Sequence, residues 1–192
     1  MSESAELEPL VSALNALARW FEREGIEGAI VGGVAASLLG RPRMTRDVDA
    51  VVLVDEYGWE RFVVSGRRSG FDPRIDDPIE FARRTRVLLM RHTSSGIDID
   101  ISLGALPFER EMIDRHQSMT VGPVTIPVIT PEDLIIMKAL ARRPRDMADI
   151  ESVLDANPEM DLDRIRDWLR EFSAVLEMPE ILEDFEGIVR RR

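Results

Sequence analysis

Two apolar runs, Asp47-Val48-Asp49-Ala50-Val51-Val52 and Ile97-Asp98-Ile99-Asp100-Ile101, each carry aspartates two residues apart. The β-branched and apolar residues between the acids read as β-strand. Alternate strand positions share a face, roughly 6–7 Å apart, so each run presents two carboxylates side by side. Neither acid-bearing face can be packed into a core without a counter-charge, because neighbouring carboxylates repel and a buried charge is costly. A divalent cation would serve both strands if they are neighbours. An exposed strand end paired with Arg43 and Arg46, or a solvent-facing hairpin, would also satisfy them.

What precedes the first acid pair narrows the choice. Ala29-Ile30-Val31 reads as a short buried strand that runs into Gly32-Gly33, and Val34 to Leu39 read as a helix stopped by Gly40. Glycines at a strand-to-helix turn let backbone N–H groups approach a phosphate closely, and the helix offers its positive end. A tight turn that merely needs glycine is the plainer alternative. The loop from Arg41 to Arg46 then brings three arginines before Asp47. Glycine turn, helix, arginine loop and acidic strand together make a triphosphate cradle beside a metal site. Hard carboxylate oxygens suit Mg²⁺. If the strand bearing Asp98 and Asp100 lies next to that of Asp47 and Asp49, two ions about 3.5–4 Å apart could be held.

The rest of the chain reads as mixed α/β to about residue 129 and all helix from 130 to 192. A helix over 5–24 begins it. Asp77 caps a short helix, a hairpin loop Thr93–Gly96 joins two strands, and Gly122-Pro123 joins two more. Thr130 and Pro131 open a strong helix whose Met137-Leu140-Ala141 side is expected to face the sheet, and Pro144 breaks it. Trp20, Trp59 and Trp168 are expected in the core and Arg190–Arg192 in a solvated tail. His92 and His116 do not suggest a metal site.

The net charge of −11 argues against general duplex binding, but residues 41–150 carry 17 basic against 18 acidic side chains, leaving room for a local phosphate site. With 24 arginines, the single lysine, Lys138, stands out, since the two cations are not interchangeable at a phosphate. There is no cysteine, no apolar run of membrane-spanning length and no signal-peptide pattern in the acidic N-terminal stretch. A cytoplasmic protein without membrane attachment is expected.

The stretch Gly32–Val52 resembles the first motif of the nucleotidyltransferase superfamily that includes DNA polymerase beta: a glycine-serine or glycine-glycine pair, then a strand with two alternate aspartates. The segment Leu134–Ile150, with Lys138, Asp146 and Asp149, looks like the later helix of the AbiEii-type branch, which contains abortive-infection and toxin–antitoxin enzymes of bacteria. The resemblance implies an α/β (α+β) fold, a mixed sheet flanked by helices over residues 1–129, with a helical region 130–192 packed on it. It implies that Gly32 and Gly33 bind the triphosphate of an NTP, with Arg43 and Thr45 of the loop at the nucleotide. Asp47 and Asp49 would hold Mg²⁺, with two ions expected. Asp100, in preference to Asp98, would be the third carboxylate and help deprotonate the acceptor hydroxyl. Lys138 would contact phosphate. Asp146 could equally pair with Arg142 on the helix surface. Gly33 replaces the serine of other branches, so a hydroxyl contact to phosphate is missing. The expected activity is transfer of an NMP group from an NTP to RNA, such as a tRNA 3′ end, or to a protein hydroxyl, with a cognate partner protein. A small antibiotic acceptor, or a non-catalytic antitoxin or regulatory member, is the alternative.

Overall fold

A computed structural model describes residues 3–192. Met1 and Ser2 of the acidic N-terminal stretch lie outside the described residues. The chain divides into two compact units: one runs to Val34 and resumes over Met44–Ile129, the other comprises Ala35–Arg43 and Thr130–Arg192.

The first unit holds helix α1 (Glu3–Glu24), strand β1 (Gly28–Val31) and the start of helix α2 (Gly32–Leu39), which carries the chain into the second unit. It continues with β2 (Asp47–Val52), α3 (Trp59–Arg68), β3 (Phe71–Pro73), α4 (Pro78–Thr85), β4 (Val87–His92), β5 (Asp98–Leu103), α5 (Pro107–Asp114), β6 (Gln117–Val121) and β7 (Val124–Val128). The second unit adds α6 (Pro131–Ala141), α7 (Pro144–Ala156), α8 (Leu162–Leu176) and α9 (Glu180–Arg190). Local chemistry accounts for the boundaries. The Asp77 carboxylate accepts a hydrogen bond from the Glu80 backbone N–H at 3.0 Å and caps α4, while the Thr130 hydroxyl accepts from that of Asp133 at 3.3 Å and caps α6. Both helices have proline in their first turn, where its missing N–H costs nothing.

The seven strands form one mixed sheet in the order β3-β4-β5-β2-β1-β7-β6. β1 runs antiparallel to β2 and parallel to β7, and β2 runs parallel to β5. β1 is buried along its whole length. β5 alternates, with Ile99, Ile101 and Leu103 buried and Asp98, Asp100 and Ser102 only partly covered. Beneath α1, fully buried Trp20 stacks on Phe71 at 5.2 Å and donates its indole N–H to Ser65 Oγ at 2.9 Å. Deleting such a ring typically costs about 3–5 kcal/mol.

Several elements depart from the sequence reading. The three-residue strand β3 went unread, being too short for a period to show. The buried face of α6 is made by Leu134, Ile135, Ile136, Lys138 and Ala139, while Met137 and Leu140 are only half-buried and Ala141 is exposed. Trp168 is half-buried, stacked on Phe172 at 5.6 Å, not a core residue like Trp20 and Trp59. Arg190–Arg192 are exposed, as expected, but Arg191 and Arg192 are also ion-paired to Glu151 and Asp155 at the surface. Arg142, in the left-handed conformation after α6, pairs with Glu180 and Asp184 and not with Asp146.

Candidate active site

β2 and β5 are hydrogen-bonded neighbours, and their register sets Asp47 opposite Asp98 and Asp49 opposite Asp100. Paired residues of adjacent strands share a face, and the strands are about 4.8 Å apart. Four carboxylates therefore form a two-by-two array on one side of the sheet, and Val48, Ala50, Ile99 and Ile101 point into the core on the other. The alternation of β5 makes this possible: a slip of one residue would bury both acids and expose the isoleucines.

Arginines meet these acids from one side. Arg74, just after β3, donates from Nη1 to Asp98 Oδ2 at 3.0 Å and from Nη2 to Asp100 Oδ1. Arg91, opposite Asp98 in the antiparallel β4–β5 ladder, donates from Nε to Asp98 Oδ1 at 2.6 Å. The hydrogen bond from Arg91 is the main reason the Asp98 carboxyl is held below the ordinary carboxylate range. Asp100 goes the other way. Burial pushes it up, Arg74 opposes that, and the nearby charges of Asp47 and Asp98 push it further up. Thr45 is half-buried and donates its hydroxyl to Asp47 Oδ1 at 2.9 Å, holding the first carboxylate at the strand entrance.

The glycine pair lies against the same acids. Gly32 has φ +61°, and a Cβ there would collide with the carboxylate of Asp49. The backbone N–H of Gly33 donates to Asp49 Oδ2 at 3.3 Å. The turn that opens α2 thus already holds an anionic oxygen on its N–H.

In the second unit, Lys138 is 7% exposed. Its ammonium lies 2.9 Å from Asp146 Oδ1 and 2.7 Å from Asp149 Oδ2. Arg43 grips Asp149 with both arms of its fork, Nε to Oδ1 and Nη2 to Oδ2, each at 3.1 Å. Asp146 also accepts from the Arg143 backbone N–H at 3.2 Å. Burial alone would raise the Asp149 carboxyl, but hydrogen bonds from Lys138 and Arg43 outweigh it and hold it low. Lys138 is thus a buried member of an ion network, not a cation whose loss would leave folding untouched.

The structure brings Gly32, Gly33, Thr45, Asp47, Asp49, Asp98 and Asp100 together within the first unit, and Arg43 and Lys138 within the second. Sequence reasoning missed Arg74 and Arg91. Arg91 had a usable signal, since in a hairpin of β4 and β5 it falls opposite Asp98. Arg74 had none among 24 arginines. A cleft of about 720 Å³ opens at the other end of β1, lined by Phe21, Gly25, Gly28, Ile113 and His116 among others, and holds none of these site residues.

Among the described residues, no three His, Cys, Asp or Glu side chains are gathered closely enough to hold a metal ion. The donors nevertheless suit one: hard carboxylate oxygens in register on one face, with the guanidinium of Arg74 already drawn in as a cation. Among the described residues, no helix is long and apolar enough to cross a membrane.

Residues 15–187 match the family model described as nucleotidyl transferase AbiEii toxin, type IV toxin–antitoxin system. No curated protein matches the sequence. Three solved structures share the fold. An antigenic nucleotidyltransferase-like protein from Paracoccidioides brasiliensis is 17% identical, with 93% of each chain covered and a TM-score of 0.58. The antibiotic-resistance factor ANT(2″)-Ia is 12% identical over 92% of this chain and 97% of its own, with a TM-score of 0.58. The lincosamide antibiotic adenylyltransferase LnuA is 16% identical over 80% of this chain and 96% of its own, at 0.50. The resemblance read from Gly32–Val52 and from Leu134–Ile150 is borne out, as is the mixed α/β fold. With a match that takes in both motifs and nearly the whole chain, this protein belongs to the AbiEii family of nucleotidyltransferases.

Proposed function

We propose that this enzyme transfers a nucleoside monophosphate group from an NTP to a hydroxyl of RNA, such as a tRNA 3′ end, in the cytoplasm, as the toxin of a toxin–antitoxin pair. The observation that carries the reading is the register of β2 and β5, which sets four aspartates on one face beside a glycine turn whose N–H already donates to a carboxylate oxygen. On this reading Gly32 and Gly33 take the triphosphate, with the Asp49 carboxylate giving way to it. Asp47, Asp49 and Asp100 would hold Mg²⁺, two ions in all, with Asp98 beside them. When bound, the ions neutralise phosphate charge and polarise the phosphorus.

The chain's own groups do the rest. The acceptor hydroxyl oxygen forms a bond to the α-phosphorus, the bond from that phosphorus to the bridging oxygen of the β-phosphate breaks, and pyrophosphate leaves. Asp100 takes the hydroxyl proton. Positioning and preorganised electrostatics supply most of the rate. Thr45 steadies Asp47. Arg43 and Lys138 are both tied up by Asp149 within the second unit and are not free cations.

Incubation with α-labelled NTPs, Mg²⁺ and total RNA tests the proposal. Label on RNA, lost in Asp49→Asn, supports it. Label on protein alone, or on an added aminoglycoside or lincosamide alone, moves the acceptor to another class. No label under any condition favours a non-catalytic antitoxin or regulatory role. The antibiotic reading draws on the excess of acidic groups, which suits a cationic drug.

A further inference from the structure

We propose that Arg74 is a built-in competitor of the divalent ion: its guanidinium occupies the third carboxylate, Asp100, and must withdraw before an ion can be held there. The proposal rests on the metal reading above.

Three observations point the same way. First, Arg74 spans two carboxylates of the array at once, Asp98 and Asp100, through separate Nη nitrogens. A cation placed between two acids supplies the neutralisation that an ion would supply. An ion and a guanidinium cannot share the same Asp100 oxygens without strong repulsion.

Second, the two acids are held unequally. Asp98 is gripped on both oxygens, Oδ1 by Arg91 at 2.6 Å and Oδ2 by Arg74 at 3.0 Å. The guanidinium hydrogen bond that reaches Asp100 comes from Arg74. When Arg74 lets go of Asp100 it can remain on Asp98, and Asp98 stays neutralised by Arg91. Asp98 is then a parking carboxylate that positions Arg74, and Asp100 is the one released to the ion. This separates the roles of the two acids in the sense in which the sequence reading preferred Asp100 to Asp98.

Third, the Arg74 staple is incompletely satisfied. Its Nε is buried without a hydrogen-bond partner among the described residues. A buried donor left unpaired carries a penalty, so withdrawal that exposes Nε to water or to a substrate phosphate recovers part of the cost of leaving Asp100. Arg74 also sits at a place that can move. It follows the short edge strand β3 and is tied to β4 by its backbone N–H on the Leu89 carbonyl at 2.9 Å, so the side chain can swing while the strand pairing stays.

Mn²⁺ binding by the full chain without nucleotide, read as loss of the free-ion signal in electron paramagnetic resonance, tests this. Arg74→Gln is expected to bind Mn²⁺ on the order of 10-fold more tightly than the parent, because one full positive charge leaves the site. Arg83→Ala removes an equal charge from exposed α4 and is expected to change affinity less than about twofold, since exposed charges are screened. Arg74→Lys keeps the charge but cannot span both acids, and is expected to fall between parent and Arg74→Gln. It also keeps the test decisive if Arg74→Gln does not fold. Parent-like affinity in folded Arg74 variants overturns the proposal, as does an equal gain in Arg83→Ala. Asp49→Asn separates the two layers. If it binds Mn²⁺ as the parent does, or if no protein binds Mn²⁺ at all, the metal site itself is misassigned and the role of Arg74 falls with it.

Discussion

The four aspartates divide by what surrounds each one. Asp47 and Asp49 are the pair beside the glycine turn, and either Asp→Asn change is expected to lower transfer by at least about 10²-fold, the scale of losing a preorganised electrostatic contact. Circular dichroism should show the fold intact, because amide and carboxylate are nearly isosteric. Retained activity in both variants would remove them from the metal site. Gly32 is the residue with least freedom to change. Its positive φ strains any L side chain, and a Cβ there runs into Asp49. Gly32→Ala is expected to cost at least about 1–2 kcal/mol in urea unfolding, and to weaken NTP use as well, because Asp49 must move. A variant as stable and active as the parent would mean that the turn relaxes freely.

At the scale of elements, the Lys138 network ties α6 to α7 and to the arginine loop ahead of β2. Breaking a buried ion pair from one side leaves an uncompensated charge, at a cost of about 3–5 kcal/mol. Lys138→Ala and Asp149→Asn should both show losses of this order by urea titration at pH 7, and losses below about 0.5 kcal/mol would make the network decorative. The pH dependence has a definite sign. Asp149 is held below the ordinary carboxylate range, so its contribution is fully present above the ordinary value of about 3.9 and is lost as pH falls through the depressed value. Below about pH 4 the unfolding midpoint of the parent should therefore fall more steeply than that of Asp149→Asn. This network shows why sequence reading succeeded in some places and not others. The acid-bearing strands were legible because a period of two in Asp98–Leu103 states which face is open, and the helix starts because Thr130-Pro131 and Asp77-Pro78 carry their own caps. The burial of Lys138 was not legible. α6 is apolar on most of its surface, so no stripe marks the inward side, and the partners that make a buried ammonium tolerable lie eight and eleven positions away on another helix. Arg74 escaped for a related reason, since its two acids come from a strand more than twenty residues distant.

At the scale of the whole chain, a ligand that binds only the folded enzyme must raise its stability, by about 2.7 kcal/mol at a concentration of 100 Kd. NTP with Mg²⁺ is expected to raise the melting temperature of the parent, and Asp49→Asn should lose most of that shift. An identical shift in the variant would place the nucleotide elsewhere. The division of the chain carries a different lesson. The second unit is not simply the C-terminal helices, because Ala35–Arg43 belongs to it. Within that unit the Asn157 amide donates to the Leu39 carbonyl at 2.7 Å, the Arg41 backbone N–H donates to Ser152 Oγ at 2.6 Å, and a Cβ on Gly40 would press on Ser152. A fragment of residues 130–192 alone should therefore lack cooperative unfolding, whereas one supplemented with a peptide of residues 35–43 should gain helicity; a cooperatively folding fragment without the peptide would show that the insert is dispensable. For gene shuffling this sets a rule of inheritance. A crossover at residue 129 swaps four helices but leaves behind the nine residues tailored to them, whereas one placed before residue 35 carries both stretches across together, so hybrids joined at the first point are expected to melt lower than hybrids joined at the second.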